Sequence, residues 1–595
     1  PTPTKYANGD TNPLSSDAST RLARRWFTQE GNYSYLSDYL GDSPNLDNQQ
    51  PLVTASKGAS AEVNWIFGNQ TLTSISAYKD YQFQARNDEG TPFDISKNGG
   101  GHVLYHQASQ ELRLSGQTGS LVDYQTGLYL LTTSNDYDSG SGYGADAGAW
   151  FASSSTGTKK GQYDLLDADG NGRYLMSNSL NRLIFKPLQQ IRNQSEALYA
   201  QADWHLLDRL TLTTGVRFSR EDRKNNVSKL ITDNGNAPEL NPVAVNGVQL
   251  GGFDSTGAGA LTTNNNAQQL ALADAVALKY FGVSGYGSLT TNQQAQVGAA
   301  KTIRASQLGV LWNPTEGRDY LKVLPSYVVS PSYKINQELT AYASWRFGEK
   351  AGISQVVNGV PFLAEPERSS AYELGLKSTL LDRKLILNAD VYVNYIENYQ
   401  QAVQVFDQYT TNLKNDGTSY FTAATGNAAK VRASGLEIDA LYRPIPNFSL
   451  RFSGAYNNAV YKDFKNSGQP LENGNLTTTP YRDVTSANLP GAAKFTGNVG
   501  ADYYHYVFSN AQIHSSINYA YTTRYNSDPS LSSYAWVPAY GIADFSIGIG
   551  RRDQKFDASV LVKNLFNDDT SQVVLWNSYI PAIPRWYGIQ FSAKL

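Results

Sequence analysis

A soluble chain of 595 residues would divide into several domains of about 150 residues each, yet this one shows no such division. It has no run of roughly 18 apolar residues, so a helical membrane protein is excluded. The absence of cysteine excludes a disulfide scaffold, cysteine-ligated zinc and thiol catalysis, and a net charge of -3 gives no footprint for nucleic acid.

Residues 1–58 are polar, rich in Asn, Ser and Asp, and read as a loop-like segment on the outside of a cell. No secretory signal is visible at the polar start, so the chain reads as a mature form or a fragment. From 59 to 595 a rhythm takes over, in which two alternating strands share a very short turn and a long polar loop follows. In 198–206 the even positions are apolar (Leu198, Ala200, Ala202, Trp204, Leu206) and the odd ones include Gln201, Asp203 and His205. Side chains in a strand alternate faces, so the first set is expected to meet lipid and the second a wet lumen.

The hairpins are expected at 61–67 with 71–86, 105–115 with 121–137, 196–206 with 210–223, and 326–335 with 338–347. Then follow 370–380 with 384–397, 430–443 with 448–462, 491–506 with 510–525, and 539–550 with 555–566. A final strand covers 585–595, making about seventeen strands in a transmembrane antiparallel β-barrel, an all-β fold. Turns such as Leu381-Asp382-Arg383 fall at one end. The long connections (87–104, 138–195, 224–325, 348–369, 398–429, 463–490, 526–538, 567–584) fall at the other. The Ala/Leu-rich run 267–281 predicts a short helix, and a second is expected to start near Thr290.

Candidate site residues lie in those long loops. Asp167, Asp169 and Asn171 place oxygen ligands at alternating positions before Gly172, the pattern of a Ca²⁺ loop. The twelfth position is Asn178 rather than the bidentate Glu of an EF-hand, and a polar Asx-type turn is the competing reading. Tyr143, Trp150 and Phe151 in one loop, and Tyr534, Trp536, Trp576 and Tyr579 in others, offer rings that stack on sugars or flat chelators. They are equally suited to an interfacial aromatic girdle. His102 and His106 would share a face on a helix and invite a metal or haem reading, but the preceding Gly99-Gly100-Gly101 and the strand that follows favour an extended chain, in which they lie about 13 Å apart at roughly 3.3 Å per residue. No nucleophile elbow or phosphate loop stands out, and no enzyme is expected. Asp203, Glu373, Asp390, Glu437 and Asp439 read as polar lumen residues.

Several strings resemble TonB-dependent outer-membrane transporters of Gram-negative bacteria. They are Gln110-Glu111-Leu112-Arg113-Leu114-Ser115, the run from Pro366 to Lys377, Gly435-Leu436-Glu437-Ile438-Asp439, Val562-Lys563-Asn564-Leu565-Phe566-Asn567, and Pro584-Arg585-Trp586-Tyr587-Gly588. The resemblance implies residence in the outer membrane, contact with its lipid, and binding of a scarce, bulky nutrient at the outer loops. Siderophore, glycan, haem and cobalamin-like cargo are all open. It also implies a 22-stranded barrel with an internal plug, and energy from the TonB complex through that plug. Neither plug nor TonB-binding box is recognisable here. An N-terminal segment or a second chain is therefore expected to supply about five strands and the plug, by the family count. The terminal strand, with Tyr587, Ile589, Phe591, Ala593 and Leu595 on one face, is similar to the family's assembly signal. A non-transporting surface barrel, acting as an adhesin or assembly component, is the alternative.

Overall fold

A computed structural model describes residues 21, 24–29, 52–86, 93–97, 99–155, 160–414, 417–427, 430–473, 480–553, 555–575 and 579–594. Among these described residues, seventeen long strands run in chain order. The first six are β1 Val53–Phe67, β2 Gln70–Arg86, β3 Gly99–Thr118, β4 Val122–Asp138, β5 Leu183–Leu207 and β6 Leu210–Asn234. The next six are β7 Tyr320–Lys334, β8 Leu339–Lys350, β9 Glu367–Leu380, β10 Leu385–Glu397, β11 Lys430–Ile445 and β12 Phe448–Asp463. The last five are β13 Phe495–Val507, β14 Ala511–Thr522, β15 Tyr540–Arg551, β16 Phe556–Lys563 and β17 Trp586–Ala593. Each pairs antiparallel with the next, and two short pieces, Ser141–Gly142 and Trp312–Glu316, complete a nineteen-stranded sheet. This is the all-β transmembrane barrel fold.

Short turns fall at one end and long connections at the other. One of the short turns puts Leu381, Asp382 and Arg383 all at positive φ, 54°, 52° and 66°, a left-handed twist that closes β9 onto β10 in a few residues.

Alternation sorts the two faces. Leu374, Val391, Leu436, Tyr456 and Phe495 are successive partners across β9 to β13, and all are exposed. On β5, Leu198, Trp204 and Leu206 share that outward face. Their neighbours point to the lumen, where Asp203 accepts a hydrogen bond from the Thr213 hydroxyl (2.5 Å) and His205 lies 3.0 Å from Asp123. Backbone groups in lipid must be satisfied internally. Pro331, inside β7, has no N–H to donate, and the Ser330 hydroxyl instead donates to the Ala343 carbonyl at 2.9 Å.

The three largest differences from the expected strand boundaries lie in β1, β5 and β6. β1 starts at Val53, so residues 53–58 are strand rather than loop. β5 starts at Leu183 and β6 runs on to Asn234, each 25 residues long. The long connections there shrink to 139–182 and 235–319. The outer halves of these strands rise beyond the lipid band with polar residues on both faces (Gln189 to Ser195, Arg220 to Ser228), which erases the apolar alternation that marks a strand.

The outer connections of this wall fold together into a helical module. It contains α1 Arg25–Gln29, α2 Ala147–Phe151, α3 Gln162–Leu166, α4 Gly170–Leu180, α5 Ala267–Phe281 and α6 Thr291–Leu308. Asn266 with Gln269, and Thr290 with Gln293, form capping boxes that start α5 and α6. Gly282, at φ 68°, ends α5. Leu166, Leu175, Met176, Leu180, Phe253, Val276 and Ile303 are fully buried in a shared core. Arg24 ties the α1 segment to it. Its guanidinium donates to the Trp150 and Ala152 carbonyls at the C-terminal end of α2 (3.3 and 2.9 Å) and lies 4.6 Å over the Tyr163 ring. Arg304, with no exposed surface, donates to Asn241 Oδ1 (2.6 Å) and to the carbonyls of Ser179 (2.8 Å) and Asn234 (2.7 Å).

Candidate functional site

The lumen wall is a polar surface held rigid by cross-strand pairs. Tyr342 faces Gly375, Tyr392 faces Gly435 and Tyr199 faces Gly127. A Cβ at Gly375 would sit 2.5 Å from the Tyr342 ring, so only glycine lets that ring lie flat on the sheet. The hydroxyls then reach polar lumen partners: Tyr342 donates to Glu373, Tyr199 to Glu111, and Tyr392 to Asn457 at 3.1 Å. Arg217 lies over the Tyr129 and Tyr199 rings at 5.4 and 5.9 Å. This tyrosine–glycine device escaped the sequence reading. Its signal was a Tyr placed opposite a Gly in adjacent alternating strands.

Asp390 and Glu437 are direct partners on the lumen face, and Asn388 pairs with Asp439. With Ser453 and Asn498 they line a concavity of about 420 Å³. Glu373, Asp390, Glu437 and Asp439 are therefore lumen residues, as the alternation predicts. A wet wall of carboxylates, amides and hydroxyls gives a hydrophilic solute continuous hydrogen-bonding partners and keeps lipid out. Among the described residues no group of three or more His, Asp or Glu converges in a metal-holding arrangement. His102 and His106 face Asp138 (3.4 Å) and Asp80 (2.8 Å) separately.

The structure divides the candidate aromatic residues into two groups. Tyr143, Trp150 and Phe151 belong to the helical module rather than to a mobile loop surface. Tyr143 is buried, its hydroxyl donates to the Gln307 carbonyl at 3.2 Å, and its ring meets Phe151 edge-on at 5.7 Å. Burial pushes its phenol up to about 12. Trp150 packs against Phe27 at 5.8 Å. The run Tyr143-Gly144-Ala145-Asp146-Ala147-Gly148-Ala149-Trp150 thus builds a core, because its small residues allow helices to approach closely, and Tyr143 has no ring face left for a ligand.

Tyr534, Trp536 and Tyr579 lie on two outer loops that are bonded to each other. The Tyr525 hydroxyl donates to the Gln572 carbonyl (2.7 Å), and the Val574 amide donates to the Ser527 hydroxyl (3.0 Å). Tyr534 and Trp536 are exposed, and the Arg524 guanidinium stacks 4.5 Å over the Trp536 indole. Trp576 lies outside the described residues.

Asp167 and Asp169 lie in the turn between α3 and α4. Asp169 is the N-cap of α4: its carboxylate accepts from the Gly172 amide (2.7 Å) and from Gln296 Nε2 (2.9 Å). Asp167 lies 3.9 Å from both Arg25 and Arg173, and Asn171 is exposed. Capping and contact with α6 account for Asp169 without an ion.

Residues 3–565 match the family model described as TonB dependent receptor-like, beta-barrel. Solved structures share the fold at low identity. The ferric yersiniabactin uptake receptor FyuA from Yersinia pestis matches with a TM-score of 0.57 and 14% identity over 94% of this chain. The siderophore receptor PiuA from Acinetobacter baumannii gives 0.52 and 12% over 91%, and the closed form of the ferric-catecholate import receptor Fiu from E. coli K12 gives 0.51 and 14% over 91%. The chain spans 64% of the length of each of these three proteins.

Proposed function

This chain belongs to the TonB-dependent receptor β-barrel family and is an outer-membrane protein; from that premise we propose that it is the barrel of a transport receptor. In this reading the outer loops bind a scarce, bulky nutrient and the TonB complex supplies the energy for its import through a plug. The observation that carries it is the contrast between the two ends of the sheet. Among the described residues one end has only tight turns, whereas the other carries connections folded into a module with its own buried core and, on separate loops, the exposed rings of Tyr534 and Trp536. A passive pore needs no such structure above its mouth. The lumen wall of Glu373, Asp390, Glu437 and Asp439 supports passage of a hydrophilic cargo.

Ferric chelates are the first cargo to test, since the three neighbours named above are described as receptors for ferric yersiniabactin, siderophores and ferric catecholates. The test is growth of a strain lacking this protein on iron held by single chelators, with glycan and cobalamin-limited media in parallel. Loss of growth on one cargo, reproduced by removing TonB, supports the reading. Equal growth on every cargo, or loss that does not depend on TonB, overturns it.

A further inference from the structure

The outward face of β2 to β5 carries a second, unrelated feature well above the lipid band. Gln84, His102, Asp138 and Leu188 are successive partners across these strands and share the outward parity of Leu112, Leu128 and Leu198. Leu188 lies ten residues above Leu198, so about 33 Å along the strand and about 25 Å along the membrane normal at a tilt near 40°. At that height the sheet face is hollowed into a cleft of about 540 Å³.

Glycine makes the floor and basic side chains make the rim. Gly101 and Gly140 line the cleft; a Cβ on Gly140 would meet only the Lys186 side chain, 3.5 Å from its Cε and 3.8 Å from its Cγ. Around this floor stand Lys97, Arg182, Lys186 and His102, with Asp138 and Asp233 as the acidic lining. The cation–carboxylate contacts inside the cleft are long. Lys186 is 3.6 Å and His102 3.4 Å from the shared Asp138, and Arg182 is 3.9 Å from Asp233. Lys97 leans on Asp94 at 2.9 Å. Arg182 and Lys186 are largely exposed, so such pairs are weakly held and readily exchanged for a better anion. Arg182 also sits at φ 63°, a left-handed conformation that disfavours a side-chain-bearing residue, fixed by its amide donating to the Tyr143 carbonyl at 2.9 Å. The fold holds an arginine in a strained position at the rim, where a glycine or asparagine would be easier.

We propose that this cleft binds a phosphate monoester. Such a group carries about -1.5 to -2 charges and three acceptor oxygens, which suits an arginine fork and two lysines converging on a bare glycine floor. The ester comes either free in solution or displayed on an outer-leaflet glycolipid, and the cleft's height above the lipid band suits both. The proposal is independent of whether the barrel imports anything.

The test uses the full chain in lipid nanodiscs at low salt, titrated calorimetrically with glucose 6-phosphate, inorganic phosphate and glucose. In a second arm, vesicles carry a phosphorylated outer-membrane glycolipid or the same glycolipid after phosphatase treatment. Saturable binding of the phosphate ester in either arm, with glucose and the dephosphorylated glycolipid silent, is expected; the arm that responds identifies the source. The paired change Arg182→Gln with Lys186→Gln should weaken binding at least tenfold, while Lys224→Gln, outside the cleft, leaves it unchanged. Gly140→Leu, which fills the floor without altering charge, should weaken it too. Binding that survives the paired change, that glucose reproduces, or that is absent from both arms overturns the proposal.

Discussion

Placing a cation on the lipid side of β5 tests the facing of the whole sheet. On this strand the outward apolar stretch runs from Leu198 to Leu206. Nine residues at about 3.3 Å, tilted near 40°, cover roughly 23 Å, close to the ~25 Å apolar band of an outer-membrane barrel. Ala202 is at its midpoint, in an outward depression of about 570 Å³ shared with Ala200, Trp204, Val329 and Trp345. An arginine there has room, so it meets lipid rather than a protein clash. Ala202→Arg should cost about 2–4 kcal/mol at this depth, a shift of roughly 30- to 700-fold in the folding equilibrium. Gln201→Arg, one residue away on the wet face, should stay within about 0.5 kcal/mol. Urea titration in lipid vesicles, followed by tryptophan fluorescence, compares the two. Equal costs, or a larger cost at Gln201, would refute the facing and the register built on it.

The helical module yields three further expectations. Arg304→Met leaves Asn241 Oδ1 and two carbonyls without their donor, and the relief of burying a cation offsets only part of that. A net loss of about 3 kcal/mol should appear as faster amide exchange across α4 and α6. If Asp169 acts as a helix cap, Asp169→Asn should be nearly neutral and Asp169→Ala should cost about 1 kcal/mol, with or without calcium. The calcium proposal for Asp167, Asp169 and Asn171 requires instead that Asp169→Asn abolish a calcium-dependent gain in protease resistance. Burial lowers the ammonium of Lys301 to about 8 from 10.5, so the unfolded segment binds more protons between those values and the module should gain stability as pH rises from 8 toward 10. Subtilisin cleavage rates corrected for enzyme activity read this, and a steady loss of resistance over that window would contradict it.

Much of the fold was legible because lipid and water impose opposite chemistry on adjacent residues. The alternation Leu198-Tyr199-Ala200-Gln201-Ala202-Asp203-Trp204 can be read without any neighbour, and the helix 267–281 lies where its Ala/Leu run predicts it. The signal fails where that contrast ends. Above the lipid band, Gln190 and Gln194 face water on one side of β5 while Asn193 and Ser195 face the lumen on the other, so strand and loop look alike and the sequence pattern alone makes β5 and β6 too short. The site was less legible still. Tyr143 and Trp150 sit in a Gly/Ala-rich stretch that suggests an open loop, but their partners Phe27, Phe185 and Gln307 come from three distant segments that no local pattern connects. The basic rim of Lys97, Arg182 and Lys186 joins two segments that lie more than eighty residues apart in the chain.

The two edges of the sheet lead to the last prediction. Among the described residues β1 pairs only with β2, and β17 only with β16; Val63, Trp65 and Phe67 on one edge strand and Tyr587, Ile589 and Phe591 on the other are exposed. An open edge in hydrocarbon leaves a row of unpaired N–H and C=O groups, each costing several kcal/mol, so both must be bonded in the membrane. Either they meet each other, or further strands stand between them, about five by the family's count of 22. The second outcome is expected. Because the chain has no cysteine of its own, Ala61→Cys with Ile589→Cys reports the choice cleanly. Direct pairing brings the two Cα atoms within about 7 Å and permits a disulfide, whereas intervening strands hold them far apart. No cross-link in native membranes, together with slow amide exchange along both edge strands, is the expected result. Efficient cross-linking would show that the two edges close on each other.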